Sequence, residues 1–168
     1  MKVHGGVDST SSGGRINVGI ADWAVTDAGA TLSTSGLGSC LGVALYDDVA
    51  GVAGLVHVML PEADPSAENP AKFTDSGIEL LLREVVAAGA SFDDVVAKLA
   101  GGSRMFEFDS QARSIGERNV AVARETLELE GVPLVAEDVG GDYGRSLRLS
   151  GASGDLVVKS ATAGDVQL

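Results

Sequence analysis

The chain reads as an α+β protein, with mixed β-sheets packed with two main helices in a layered sandwich. Three observations predict this. Short apolar runs rich in β-branched residues recur from Arg15 onward, two segments pair helix-start chemistry with helical spacing, and no internal repeat or linker separates them. At 168 residues the chain is long enough for one substantial core. The expected division is a mobile tail over residues 1–14, rich in Gly and Ser, followed by a single domain over residues 15–168.

Taken in order, residues 15–26 alternate through Ile16, Val18 and Ile20, then Trp23 and Val25, and predict a strand with a bulge near Asp22. Residues 30–34 offer a second short strand. Residues 41–46 and 52–60 are β-runs around an Asp47-Asp48-Val49-Ala50 turn. If that turn is centred between Asp48 and Val49, Asp47 faces Ala50 and the same register sets Cys40 opposite His57. A helical turn beginning at Ser39-Cys40 is the alternative.

Asn69-Pro70 supplies an N-cap and a first-turn proline for a helix carrying Phe73, Ile78, Leu81, Leu82 and Val85, with Gly89 to end it. Residues 95–100 read as a strand leading into Gly101-Gly102. Ser114-Ile115-Gly116-Glu117 has capping-box spacing and opens a second helix that ends near Gly131. Residues 132–139 are strand-like, and residues 145–149 and 156–160 form a closing hairpin around Gly151 and Gly154.

Charge narrows the function classes. There are 24 acidic residues against 12 basic ones, a formal charge of −12, and only Lys2, Lys72, Lys98 and Lys159 are lysines. Nucleic acid is excluded as a partner, because phosphates need a basic footprint. The composition points to a halophilic host, where salt screens the self-repulsion of dense carboxylates. An ordinary acidic protein is the bland alternative, and the salt dependence of the melting temperature separates the two. The apolar stretches are too short to insert in a membrane. The N-terminus lacks the apolar core of a signal peptide, and a lone cysteine suits a reducing cytoplasm.

Cys40 closes the run Thr34-Ser35-Gly36-Leu37-Gly38-Ser39-Cys40 and is the only cysteine. It builds no disulfide framework and no zinc site. No His, Cys or carboxylate cluster has metal-ligand spacing, and no phosphate-cradling fingerprint is present, so neither metal nor cofactor is expected. The glycines let backbone N–H groups crowd the sulfur, which suits a nucleophile whose oxyanion is held by Gly38, Ser39 and Cys40. His57, one of two histidines, is the candidate base, whereas His4 lies in the tail. A buried core cysteine and a core histidine are the structural alternatives. Asp47 and Asp48, the nearest carboxylates in sequence, are expected to point from their turn into solvent.

The block from Thr34 to Pro61 resembles the chemoreceptor glutamine deamidases, the CheD family of bacterial and archaeal chemotaxis. The likeness continues through Ala97-Lys98-Leu99-Ala100-Gly101-Gly102, Met105-Phe106, Ile115-Gly116-Glu117-Arg118-Asn119 and Glu137-Asp138-Val139-Gly140-Gly141-Asp142-Tyr143-Gly144-Arg145. It spans roughly residues 15–160. The resemblance implies a cytoplasmic cysteine amidohydrolase that converts chemoreceptor glutamines to glutamate. It makes Thr34, six positions before the cysteine, the residue that orients the His57 ring, and implies a CheC-type phosphatase as partner. A regulatory module that binds this phosphatase without catalysis is the competing reading. One departure is Phe73, where the family pattern has tyrosine after the lysine.

Overall fold

The structure, a computed structural model, describes residues 14–105 and 113–168. The expected tail, but for Gly14, lies outside the described residues, as does Phe106. Among the described residues, two five-stranded sheets and two α-helices make three layers. The first sheet contains β1 (Arg15–Asn17), β3 (Thr31–Leu37), β8 (Arg145–Ser150), β9 (Leu156–Ser160) and β10 (Gly164–Gln167), in the order β1-β3-β8-β9-β10. The second contains β2 (Trp23–Thr26), β5 (Val52–Val58), β4 (Leu41–Asp47), β6 (Val96–Gly101) and β7 (Leu134–Val139), in the order β2-β5-β4-β6-β7. Both sheets are mixed, since β1 runs parallel to β3 and β6 parallel to β7. The α+β sandwich expected from the sequence is the fold observed.

Alternation along the central strands divides the core in two. Val43, Leu45, Val56 and Val58 point from the second sheet toward α1 (Thr74–Ala87) and α2 (Ile115–Glu130), meeting Ile78, Leu81, Val85, Val120 and Leu127. Ala44, Ala53 and Leu55 point the other way, meeting Leu32, Leu147, Leu149 and Val158 of the first sheet. Strands that are buried on both faces read as continuous apolar runs, as β4 and β5 do. His57 is the polar exception in β5. It lies on the inter-sheet side, completely buried.

The predicted strand over residues 15–26 is two strands in different sheets. Ala21 adopts φ 58° and turns the chain from β1 to β2. That conformation costs a non-glycine residue roughly 1 kcal/mol, and it is held by the bond from Ala21 N–H to His57 O at 2.9 Å. The second predicted strand runs on to Leu37, with a register break between Thr34 and Leu37. β10 was not expected, because all four of its residues are exposed and it has no apolar alternation.

The Asn69-Pro70 signal starts a 3-10 turn, Pro70–Lys72, before α1 begins at Thr74. Ser114 caps α2 as its spacing predicts, its hydroxyl accepting from Glu117 N–H at 3.1 Å.

The β4–β5 register differs from the one expected. Asp47 faces Val52, and Gly42, not Cys40, lies opposite His57. Two features lengthen the turn. Gly51 takes φ 70°, the left-handed conformation open to glycine. Asp47 points inward, only 1% exposed, and its carboxylate accepts from Val49, Ala50 and Ser91 N–H at 2.8–3.0 Å. Burial opposes its charge, but these donors prevail and hold its carboxyl below the usual range. The solvent-facing Asp47 expected from sequence is thus a buried turn brace. The register offset moves Cys40 two positions along the ladder, so it stays on the His57 face as a diagonal neighbour.

Helix α2 must reach the loop after β6 closely. A Cβ on Gly116 would lie 2.2 Å from Ser103 O and 2.5 Å from Gly102 O. Both are backbone atoms that no side-chain rotation can move. Gly116→Ala is therefore expected to destabilise the fold by roughly 1–3 kcal/mol, lowering the urea midpoint while leaving the denaturant slope unchanged.

Candidate active site

Thr34 and His57 come from different sheets and meet in the layer between them. Thr34 Oγ1 lies 2.8 Å from His57 Nδ1 and 2.7 Å from Val18 O. A hydroxyl has one proton. Val18 O can only accept, so it takes that proton, and Thr34 Oγ1 must accept from Nδ1–H. The network thereby assigns the neutral tautomer with the proton on Nδ1 and the lone pair on Nε2. Nε2 is buried and has no hydrogen-bond partner among the described residues. Burial pushes the imidazole down to about 4, so it is neutral at pH 7.

Cys40 sits just before β4, half-buried, and packs against the inter-sheet core that also surrounds His57. Thr34, Cys40 and His57 thus share one side of the second sheet. Burial raises the Cys40 thiol above its ordinary value, opposed in part by the residue's own N–H. With the imidazole held low and the thiol held high, the resting pair is neutral. A thiolate–imidazolium pair is not the favoured state, because the burial that positions both groups also removes the water that would solvate their charges.

The loop carrying Cys40 is fastened by its carbonyls. Gly38 O accepts from Ser103 N–H at 2.8 Å, Ser39 O from Asn119 Nδ2 at 2.9 Å, and Cys40 O from Gly102 N–H at 2.9 Å. Of the three oxyanion candidates, Gly38 has its N–H occupied by Gly36 O at 3.2 Å. The N–H groups of Ser39 and Cys40 have no backbone acceptor among the described residues.

Behind this loop lies Arg145, its side chain 1% exposed. One terminal nitrogen donates to Ser103 Oγ at 2.9 Å and Gly140 O at 2.8 Å, the other to Tyr143 Oη at 3.0 Å. Asp138 lies 3.5 Å away, and the guanidinium stacks 4.3 Å from the Tyr143 ring centroid. Arg145 is a structural brace for the Gly101–Ser103 segment. Arg118 is exposed, whereas Asn119, on the same motif, is completely buried. Phe73 precedes α1, with Lys72 Nζ 5.9 Å over its ring.

The sequence places Asn119 within a motif of the resemblance but gives it no role. The available signal was a polar residue on the apolar face of an otherwise amphipathic helix, where a buried amide must find partners. No cluster of His, Cys, Asp or Glu fit to hold a metal ion occurs among the described residues.

Known proteins match this sequence along the whole chain. Residues 59–160 match the family described as CheD chemotactic sensory transduction. A Haloarcula marismortui protein named as a probable chemoreceptor glutamine deamidase CheD is 50% identical, covering 100% of each chain. A Natronomonas pharaonis protein of the same name is 50% identical over 90% of each chain. A third, from Pyrococcus horikoshii, is 46% identical, covering 90% of this chain and 95% of its own. Among solved structures, a Neisseria meningitidis protein of family-model DUF152 shares the fold, with TM-score 0.50 and 16% identity over 77% of this chain and 64% of that one. By identity sustained over its full length, the chain belongs to the CheD family.

Proposed function

We propose that this protein hydrolyses the side-chain amide of specific chemoreceptor glutamines, giving glutamate and ammonia, with Cys40 as nucleophile and His57 as proton carrier. The observation that carries this reading is the Thr34–His57 bond across the sheets. It leaves a neutral imidazole, whose Nε2 lone pair has no partner among the described residues, on the face that bears the lone cysteine.

In the reaction, the Cys40 S–H proton passes to Nε2 as sulfur attacks the amide carbon. The carbonyl oxygen becomes an oxyanion, held by the Ser39 and Cys40 N–H groups. The imidazolium returns its proton to the nitrogen, the C–N bond breaks and ammonia leaves a thioester. Water, losing a proton to Nε2, attacks that thioester. Collapse of the second oxyanion releases glutamate and restores the thiol. Thr34 keeps the ring in the tautomer that accepts through Nε2. No metal or redox partner enters this scheme.

The absence of a resting ion pair fits general-base catalysis, in which the charge-separated state arises only with substrate seated. Catalytic hydrogen bonds are commonly completed at that stage. Cys40 stands just before β4 and is only half-buried, so a glutamine on a receptor helix can approach it. No helix among the described residues is long and apolar enough to cross a membrane. The expected CheC-type phosphatase is proposed to cover the Cys40 surface and to compete with receptor, and that competition must be reciprocal in free energy.

Three outcomes follow from this scheme. Cys40→Ala is expected to abolish the mass gain of about one dalton that marks Gln→Glu conversion in a co-expressed receptor, and His57→Ala to match it, since members of one catalytic unit fail together. Thr34→Val should retain measurable turnover; full activity in folded His57→Ala removes His57 as the base.

The pH profile provides a second check. Because His57 titrates at about 4, kcat/KM should hold steady from pH 7 to pH 6, where an ordinary histidine would already be losing its base form, and fall only as pH approaches 4. The linked stability has a definite sign. The imidazole protonates more readily in the unfolded chain, so its contribution is full above pH 6.5 and is lost as pH falls from there through about 4. His57→Gln should flatten that part of the stability curve in urea titrations. Retention of the slope in the variant would assign it to carboxylates instead.

Third, titrating a CheC-type phosphatase into a deamidation assay should slow conversion, with excess receptor restoring it. A saturated complex that turns over receptor at the free rate would show that the two surfaces are separate.

A further inference from the structure

We infer that Asn119 is the positioning residue that aims the Cys40 N–H into the oxyanion site, an inference that rests on the deamidase reading above. Asn119 is completely buried in the second turn of α2. Its Nδ2 donates to Ser39 O at 2.9 Å and to Met59 O at 3.0 Å. Both neighbours are carbonyl oxygens, so the amide nitrogen must occupy this end. The flipped amide would set its oxygen against two acceptors. Oδ1 faces the Thr74 hydroxyl at 3.4 Å, a hydroxyl that also reaches Leu60 O at 3.0 Å.

The consequence comes from peptide geometry. Ser39 C=O and Cys40 N–H belong to one planar trans unit and point in opposite directions. Drawing the carbonyl inward toward α2 turns the N–H outward. The carbonyls on either side are held by backbone, Gly38 O by Ser103 N–H and Cys40 O by Gly102 N–H. The Cys40 N–H does not form the reciprocal ladder bond to Gly102 O. Among the three anchored carbonyls, Ser39 O alone depends on a side chain.

The second bond gives the same amide a further role. Met59 lies two residues beyond His57, so one nitrogen ties the nucleophile loop to the end of the strand bearing the base. Loss of Asn119 frees the Ser39–Cys40 peptide to rotate. It does not remove the sulfur, the imidazole or the Thr34 bond. The damage should therefore fall on steps that pass through an oxyanion and spare those that do not.

The test compares two reactions at Cys40 in the full chain. Alkylation by iodoacetamide is a displacement at saturated carbon and forms no oxyanion, whereas deamidation of a receptor fragment does. Asn119→Ala and Asn119→Asp are expected to lower kcat by about 10²–10³-fold, the usual loss for one oxyanion donor, with KM nearly unchanged. The iodoacetamide rate and its pH profile should remain close to wild type. A parallel fall in alkylation would overturn the inference, because Asn119 would then be holding the loop and sulfur as a whole. Unchanged turnover would overturn it equally. Should Cys40→Ala still deamidate, the fault lies with the deamidase reading and not with Asn119 alone.

If neither variant gives a cooperative melt, wild type supplies the answer. A substrate peptide whose glutamine is replaced by the corresponding side-chain aldehyde adds the Cys40 thiol across C=O. The sulfur bonds to carbon and the thiol proton moves through His57, leaving a hemithioacetal oxygen in the site. Binding should move the Cys40 amide proton of ¹⁵N-labelled protein downfield. A bound aldehyde that leaves this resonance in place overturns the inference.

Discussion

The Thr34 hydroxyl has one proton to give, and Val18 O receives it. This small constraint governs the site. It compels Oγ1 to accept from His57, settles the tautomer, and leaves Nε2 as the ring's only basic atom. The bond spans two sheets, so it exists only while the inter-sheet layer is packed. Leu32, Leu55, Leu147 and Leu149 set the sheet separation at which a threonine and a histidine are a hydrogen bond apart. Apolar packing thus supplies the alignment that a carboxylate often supplies to catalytic histidines. A neutral hydroxyl stabilises imidazolium less than a carboxylate does, in keeping with the depressed imidazole.

The loop carrying Cys40 follows a different logic. It has no sheet partner to fix each peptide plane, so three separate donors hold its carbonyls. Two are backbone N–H groups of the Gly102–Ser103 segment, itself stapled by Arg145 to the loop after β7. The third is the Asn119 amide. Gly116 permits α2 to approach this segment closely enough for that amide to reach Ser39. Residues scattered from Ser39 to Arg145 are coupled because each satisfies a polar group that would otherwise be buried without a partner.

Most of the architecture was legible in the sequence. Both helices have strong local signals at Pro70 and Ser114, and the β-runs alternate clearly. Where the reading failed, long-range structure had overruled local pattern. Residues 15–26 alternate as one strand, yet Ala21 splits them between sheets, and nothing local forces alanine into a left-handed turn. The hairpin register depended on Asp47, whose carboxylate turned inward to bind Ser91 N–H from a distant loop. Cys40 and His57 stood out because each is nearly alone of its type. Asn119 stood in a quoted motif but without a role, since its value depends on a peptide plane 80 residues away.

The raised thiol of Cys40 has a consequence for the life of the protein in a cell. Peroxide attacks thiolates, and the climb from sulfenic to sulfinic and sulfonic acid begins with that anion. A thiol raised by burial presents less of that anion than a free one. In the proposed scheme the anion forms as Nε2 takes the proton with substrate in place. Slower oxidation at rest and activation by substrate then follow from the same desolvation.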